Sequence, residues 1–218
     1  MKKWVVYFIA ILFLLFLLIN KEPQDSAPIT DVYPWQIKIL NDGRSSIFGL
    51  VLNESRLKDV DDKFEVTSVV ALYESTKKLS LEAYYKNVSL GGLIGSFVFT
   101  LDATKEQLDK IKKESHKKER TNDNEVKYLL DKLATAETKK LRVKNLIYIP
   151  RVQLDEETIV KRFGIPAYKL KLKTKEIGWH YLYPEKGLDL IYKQEGKEVL
   201  QYVLPKNFNL LLKPLRAQ

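Results

Sequence analysis

Sixteen consecutive apolar residues near the amino terminus divide this chain into two unlike parts. The run extends from Trp4 to Ile19 and contains no charged side chain. As a helix it is about 24 Å long, at roughly 1.5 Å per residue, against about 30 Å of bilayer hydrocarbon. Lysines on both sides (Lys2, Lys3 and Lys21) can reach the interface and close this deficit. We therefore predict a transmembrane anchor over residues 1–21 and a separately folded body after it.

A cleaved signal peptide is the alternative to a retained anchor. Its apolar region is typically about 7–15 residues long and is followed by a small-x-small cleavage site. The first small pair after the run is Ser26-Ala27, with Asp25 at the minus-three position and Pro28 directly after the scissile bond. Both neighbours disfavour cleavage, so the sequence predicts an uncleaved anchor.

The charges that flank the run predict its orientation. Lys2 and Lys3 precede it, whereas Lys21 on the far side is offset by Glu22 and Asp25. Because positive residues are retained on the cytoplasmic side, the amino terminus is expected in the cytoplasm and the body outside. For a bacterium this predicts a single-pass inner-membrane protein whose body lies in the periplasm.

The composition of the body indicates a folded domain without cysteine. Of the 218 residues, 45 % are apolar and 11 % aromatic, which is enough for a hydrophobic core. The absence of cysteine excludes disulfides, thiol catalysis and thiolate metal sites. Without the three lysines of the anchor, 34 basic and 28 acidic residues remain, a net charge of +6. Nucleic-acid binding is disfavoured, because the chain is tethered and has no Arg-rich helix or nucleic-acid-binding signature.

Alternating apolar residues and turn signals predict an α+β fold, with an antiparallel sheet and short helices. Two strand-like runs flank the turn Asn41-Asp42-Gly43, which is a hairpin signal. Residues 93–101 are apolar on both faces, as in a central strand. Asp155 is predicted to cap a helix that ends at Gly164. After the anchor, the predicted parts are a spacer over 22–34, a first α+β half over 35–118, a charged connector and helix over 119–142, and a second α+β half over 143–218.

The two halves share an order of motifs that predicts an internal duplication. The first half reads L-K-D-V-D-D-K-F, then L-E-A-Y-Y, then G-G-L-I-G-S-F-V-F. The second half reads E-T-I-V-K-R-F-G, then W-H-Y-L-Y, then K-G-L-D-L-I-Y. Each half thus contains a short helix, an aromatic strand and a Gly-Leu strand in the same order.

The stretch 154–203 resembles the small repeat of the SmpA/OmlA lipoproteins and of beta-lactamase inhibitor protein. Gly164 and Pro166 match the helix stop of that repeat, and Gly196 matches its hairpin turn. The aromatic strand of the repeat is matched by Trp179, Tyr181 and Tyr183. The first half departs from the repeat, since Glu65 stands where a glycine would follow Phe64.

The whole chain is also similar to single-span envelope proteins of proteobacteria. The likeness rests on F-G-L near 48–50, E-A-Y-Y near 82–85, G-G-L near 91–93 and R-F-G near 162–164. Both resemblances imply a binding or assembly module of the cell envelope, because such folds serve protein–protein contact and share no chemistry.

Four lysines alternate with apolar residues in the sharpest local pattern of the body. They share one face of a predicted strand: Lys169, Lys171, Lys173 and Lys175. One interpretation is a contact for anionic lipid headgroups or an acidic wall polymer. The other, which is favoured, is an edge strand that lysines protect from unwanted pairing.

No residue pattern in the chain predicts catalysis, a metal site or a cofactor. His116 lies in a charged stretch, and His180 faces away from the aromatic residues of its strand. Glu82 and Asp189 lie on strands of different halves, and nothing in the sequence brings them together. A further group of carboxylates matches no calcium-loop spacing and is interpreted as the solvent-exposed side of a helix: Glu54, Asp59, Asp61 and Asp62. A pocket that gathered Glu82, Asp189 or His180 would favour an enzyme.

These observations predict a non-enzymatic, membrane-anchored interaction or assembly module of the bacterial envelope. The expected contacts are the membrane, through Trp4 to Ile19, and a protein partner, with neither nucleic acid nor a small-molecule cofactor. The candidate protein-contact residues are the aromatics Trp179, Tyr181 and Tyr183. Two alternatives stay open: a cell-wall-directed enzyme or regulator of a lytic enzyme, and binding of an anionic lipid or polymer through the lysine-striped strand.

Overall fold

The computed structural model describes residues 31–216, except 77, 122–124 and 174–175. The predicted anchor over 1–21 and most of the predicted spacer lie outside the described residues. Within the described part of the chain, no helix is long and apolar enough to cross a membrane. The residues from Asp31 onward form one compact unit with its own hydrophobic core.

A small three-stranded sheet opens this unit. Its strands are β1 (Lys38–Ile39), β2 (Ser45–Ile47) and β3 (Leu50–Val51). The predicted turn at Asn41-Asp42-Gly43 connects β1 and β2, and Gly43 has a φ of 77°, which glycine adopts without strain. The structure confirms the predicted hairpin.

Ten antiparallel strands form the main sheet. They are β4 (Val69–Ser75), β5 (Lys78–Leu90), β6 (Leu93–Leu101), β7 (Lys117–Arg120), β8 (Val126–Leu129), β9 (Val143–Pro150), β10 (Tyr168–Lys171), β11 (Gly178–Tyr183), β12 (Leu188–Lys193) and β13 (Val199–Tyr202). Their spatial order is β10-β11-β12-β13-β9-β6-β5-β4-β8-β7. The pairing of β6 with β9 joins strands from both halves of the chain into one sheet.

Short helices complete the α+β fold that the sequence predicts. They are α1 (Leu57–Phe64), α2 (Lys105–Glu114), α3 (Lys132–Thr138), α4 (Glu156–Phe163) and α5 (Asn209–Arg216). Asp155 caps α4 as predicted, since its Oδ1 accepts a hydrogen bond from the Thr158 N–H at 2.6 Å. Before α1, Ser55 Oγ accepts a hydrogen bond from the Val51 N–H, which stabilises the turn that leads into the helix.

The main hydrophobic core lies between one face of the sheet, the helix face, and helices α1, α2 and α4. Large, fully buried side chains from neighbouring strands meet there: Tyr85, Phe97, Phe99, Tyr148, Tyr181 and Tyr202. Phe64 ends α1 and Phe163 ends α4, and both side chains point into this core. Each such side chain contributes roughly 1.5–3 kcal/mol when it leaves water.

The opposite face of the sheet, the back face, carries a second and smaller core beneath α5. Its buried residues are Leu182, Val203 and Phe208. Leucines of α5 pack against them: Leu211, Leu212 and Leu215. The sheet is therefore covered by several helices on one face and by α5 on part of the other.

Two boundaries differ from the sequence prediction. Val32 is 4 % exposed, and Tyr202 Oη donates to the Pro34 carbonyl oxygen at 2.8 Å, so the folded unit includes the end of the predicted spacer. At the start of the charged connector, Lys117–Arg120 forms the edge strand β7 with four exposed side chains. Such charged residues form a strand here because pairing with β8 satisfies their backbone groups.

Candidate functional site

A large cleft opens on the back face between α5 and strands β10, β11 and β12. We call it the α5 cleft. Its volume is ≈ 840 Å³, which lies within the roughly 300–1,000 Å³ of small-molecule sites. Six aliphatic side chains line it: Leu170, Leu172, Leu182, Ile191, Leu212 and Leu215. The cleft therefore offers mainly hydrocarbon surface to a ligand.

Charged side chains border the α5 cleft, and positive charge is in excess. Two lysine side chains, Lys173 and Lys193, lie at this border beside one carboxylate, that of Glu176. Lys171 also touches the cleft, but its register partner Trp179 places its side chain on the helix face. Lys193 Nζ lies 2.6 Å from Glu176 Oε2. Lys173 Nζ donates to the Leu215 carbonyl oxygen at 3.2 Å and so connects the segment after β10 to α5. The net positive charge attracts an anionic group to this border.

A buried histidine–aspartate pair faces the same cleft. The register of β11 and β12 brings His180 beside Asp189, with His180 Nδ1 2.9 Å from Asp189 Oδ2. The two residues are 9 % and 3 % exposed. With Asp189 ionised, Nδ1 must carry the hydrogen of this contact, because an ionised carboxylate only accepts hydrogen bonds. Nε2 is then the ring nitrogen left for a ligand in the cleft, which His180 lines.

Glu82, the third candidate for acid–base chemistry, lies in a different place. It borders a polar pocket of ≈ 570 Å³ together with Tyr73 and Thr100. Ser80 Oγ donates to Glu82 Oε1 at 2.9 Å. Burial raises the pKa of Glu82, and the hydrogen bond from Ser80 opposes this. The fold thus joins His180 to Asp189 and separates both from Glu82.

Lys169, the first lysine of the predicted stripe, is turned toward α4. Its register partner on β11 is Tyr181, which belongs to the helix face. Lys169 Nζ lies 2.6 Å from Glu156 Oε1 and 4.8 Å from the centroid of the Trp179 ring. The hydrogen bond to Glu156 raises the pKa of Lys169. Its charge is therefore already balanced within the protein.

The other stripe lysines occupy three different situations. Lys171 is the last residue of β10, which is an edge strand of the main sheet, as the edge-strand interpretation expects. Lys173 follows the strand and borders the α5 cleft. Lys175 lies outside the described residues. The stripe does not form one uniform basic surface across Lys169, Lys171 and Lys173.

The three aromatic residues predicted to contact a partner lie on the helix face. Tyr181 and Tyr183 are 1 % and 4 % exposed, and Tyr183 contacts Phe163 of α4 with ring centroids 6.3 Å apart. Burial rules out the two tyrosines as contact residues, because the core and α4 cover this side of the sheet. Trp179 is half-buried beside Lys169.

The predicted carboxylate cluster is bound by protein groups. Three exposed members each have a local partner: Glu54 with Arg44, Asp59 with the Arg56 N–H and Asp62 with Lys58. Asp61 is not on the solvent-exposed side of α1, because it accepts a hydrogen bond from Tyr85 Oη at 2.6 Å and pairs with Lys139. Among the described residues, no group of three His, Asp or Glu side chains is arranged to hold a metal ion.

Ser68 and Lys139 come as close as the two residues of a Ser–Lys catalytic pair, with Ser68 Oγ 3.1 Å from Lys139 Nζ. In such a pair the lysine must accept the serine proton. Here Lys139 Nζ is also paired with the carboxylate of Asp61, and Ser68 is 6 % exposed. Lys139 therefore connects α1, through Asp61, and the residue before β4, Ser68, to the segment after α3.

Helix α5 forms one wall of the cleft and is missing from the sequence-based prediction. A signal for it exists, since Phe208, Leu211, Leu212 and Leu215 recur at the helical spacing i, i+3, i+4, i+7. All four side chains pack in the back-face core. Pro214 inside this pattern argues against a helix, because proline removes a backbone donor.

Comparison with protein-family models, with curated proteins and with solved structures gives no match for this chain. The resemblances to the SmpA/OmlA repeat and to single-span envelope proteins stay predictions. The site is thus defined by its geometry: an apolar cleft, a border rich in lysine, and a histidine–aspartate pair in the floor.

Proposed function

We propose that this chain is a non-enzymatic binding module that holds an anionic ligand with an apolar part in the α5 cleft. The observation that carries the proposal is the lining of the cleft. Six aliphatic side chains line it, and two lysines, Lys173 and Lys193, outnumber one glutamate at its border. A molecule that buries hydrocarbon and keeps a negative group at the border gains from both features.

Binding is favoured over catalysis because the cleft offers few groups that react. The chain has no cysteine, and Tyr168 is the hydroxyl-bearing residue among those that line the cleft. A histidine held by an aspartate acts on a nucleophile within hydrogen-bond reach. No serine or threonine side chain lines the described cleft to serve as one.

The proposed place of action is the periplasmic side of the bacterial inner membrane. The support is the apolar run from Trp4 to Ile19 and the charges that flank it. A protein partner in the envelope, which the resemblances imply, also belongs to this proposal. Tyr84 on the back face, 37 % exposed, is an apolar side chain available to such a partner.

The proposed origin of the body is duplication of a helix-plus-sheet unit. In each half a helix ends on a buried phenylalanine, Phe64 in α1 and Phe163 in α4. The next residue has a positive φ in both cases, 54° at Glu65 and 85° at Gly164. Glu65 thus has a positive φ, for which glycine is preferred, although its ψ of 26° differs from the −176° of Gly164.

Native mass spectrometry of the full chain, purified from its own membranes, tests the binding proposal. We expect a small-molecule adduct on the parent protein. Leu170→Glu places a carboxylate among the aliphatic side chains of the cleft and should lower the occupancy of the adduct by about tenfold or more. The matched control is Val69→Glu, which adds the same charge on the same face of the sheet but away from the cleft.

Two outcomes contradict the binding proposal. One is the absence of any adduct on the parent chain. The other is equal adduct occupancy in Leu170→Glu and Val69→Glu, which would place the bound molecule outside the cleft. Far-ultraviolet circular dichroism of both variants checks that each is folded.

A cell-wall-directed enzyme is the second candidate function, and the His180–Asp189 pair in the cleft is the observation that favours it. An imidazole oriented in this way can serve as a general base toward a bound water. If the protein is such an enzyme, it releases soluble fragments from purified cell-wall material, and His180→Asn abolishes release. Equal release by parent and His180→Asn would exclude this role.

A further inference from the structure

We propose that the ligand of the α5 cleft is a single-chain anionic lipid, with its acyl chain on the aliphatic walls and its head at the lysine border. This inference rests on the proposed binding function and names the chemical class of the ligand. Three features of the described residues carry it: the continuity of the apolar lining, the position of the cationic groups, and the exposed apolar side chains within the lining.

The apolar lining suits a hydrocarbon chain better than a peptide or a sugar polymer. Leu170, Leu182 and Ile191 form the floor on three neighbouring strands, while Leu212 and Leu215 face them from α5. A peptide or a glycan needs hydrogen-bond partners along its length, and these side chains supply none. An acyl chain needs none, and each methylene group that enters contributes about 0.8 kcal/mol.

Cationic groups lie at one border of this lining, where an acyl chain would carry its head. Lys193 Nζ is held at the border by Glu176 at 2.6 Å. Lys173 Nζ is held there by the Leu215 carbonyl oxygen at 3.2 Å. An anionic head that approaches both ammonium groups gains charge-assisted hydrogen bonds. His180 lies in the floor of the cleft and supplies a polar group there.

Two residues of the cleft lining are themselves exposed apolar side chains. Leu170 is 38 % exposed. Tyr168 is 57 % exposed and also lines the cleft. Apolar side chains next to lysines are typical of surfaces that contact a lipid interface. A cleft with such a lining can receive its ligand directly from a bilayer.

The test uses the full chain in nanodiscs of neutral phosphatidylcholine and a photoreactive probe, a palmitic acid with a diazirine in its chain. The corresponding alcohol is the uncharged control probe. After irradiation, mass spectrometry of peptides locates the labelled residues. We expect labels on β10, β11, β12 and α5, and several-fold more labelling by the acid than by the alcohol, because only the acid has a charged head.

Two pairs of variants separate the contributions of chain and head. Leu170→Glu should lose cleft labelling by about tenfold or more, while Val69→Glu should keep it. Lys193→Gln should reduce labelling by the acid several-fold and leave labelling by the alcohol unchanged. Its control is Lys127→Gln, a half-exposed lysine of β8 on the same face of the sheet.

Competition identifies the source of the head group and sets the outcomes that count against the proposal. Displacement of the probe by unlabelled palmitate indicates a fatty acid, and displacement by lysophosphatidylglycerol indicates a phospholipid; either supports the proposal. Labelling that neither competitor displaces, or that Leu170→Glu and Val69→Glu retain equally, overturns it. If the native adduct depends on Leu170 but the probe does not label the cleft, the lipid assignment fails and the binding function stands.

Discussion

Glu198 is an acidic residue that is buried in an environment poorly suited to a charged carboxylate. It is 0 % exposed directly before β13, and neither carboxylate oxygen has a hydrogen-bond partner among the described residues. Burial raises the pKa of Glu198. The backbone N–H groups of Glu198 and Leu154 lie nearby without forming a hydrogen bond to it, and they oppose this rise only in part. The folded protein therefore holds the proton of this carboxyl group more tightly than the unfolded chain does.

The raised pKa of Glu198 predicts that stability falls as the pH rises. Above the ordinary value of 4.5, the unfolded chain has lost a proton that the folded protein keeps. Stability falls from there up to the raised folded pKa and is constant beyond it. We expect Glu198→Gln to be more stable than the parent at pH 7, by about 1–3 kcal/mol, with the difference shrinking below pH ~4.5.

Urea denaturation at pH 4 and pH 7 measures this difference. The control is Glu195→Gln, which removes an exposed carboxylate from the preceding turn and should change little. If both variants shift the midpoint equally at pH 7, burial of Glu198 is not the cause.

Helix α5 is the element on which the candidate site depends. It begins after the 3₁₀ turn Pro205–Asn207 and packs on the back face through Leu211, Leu212 and Leu215. The helix-face core does not involve it, since the two clusters of buried residues are separate. The cleft can therefore be disturbed without loss of the sheet.

Leu212→Asp should detach α5 while the main sheet stays folded. A carboxylate in place of a half-buried leucine is left without partners in the back-face core and destabilises the docked helix by about 1–3 kcal/mol. Hydrogen exchange of the full chain should show faster exchange in residues 209–216 and unchanged protection in β5 and β6.

Leu210→Asp is the matched control for this helix. Leu210 is 54 % exposed on α5 and lies outside the back-face core. Faster exchange in β6 for Leu212→Asp, or the same exchange pattern in both variants, would show that α5 and the sheet do not behave as described.

The described part of the chain is one main sheet whose two faces are covered unequally. The first part of the chain packs on the helix face, where Tyr202 Oη holds the Pro34 carbonyl oxygen.

Protease accessibility tests the predicted orientation of the whole protein. The flanking lysines predict that the body lies outside the cytoplasm. Proteinase K added to spheroplasts should digest the body, whereas intact cells should protect it. Protection in spheroplasts that ends only when the inner membrane is permeabilised would place the body in the cytoplasm and remove the envelope proposal.

The sequence predicted most elements of the fold because their signals are local. The turn at Asn41-Asp42-Gly43, the Asp155 cap and the strand over 93–101 each depend on residues a few positions apart, and the structure confirms all three. Errors occurred where tertiary contacts compete with local signals. Pro214 argues against a helix where α5 lies, and the charged residues Lys117–Arg120 form a strand only because they pair with β8.

The sequence by itself determined the α+β class, the alternation that turns His180 away from Trp179 and Tyr181, and the apolar run at the amino terminus. Only the tertiary structure decided that His180 meets Asp189 and that both stand beside a cleft closed by α5. The reason is that strand register and helix docking depend on packing between distant segments. Periodicity reports which way a side chain points, whereas packing decides what it meets.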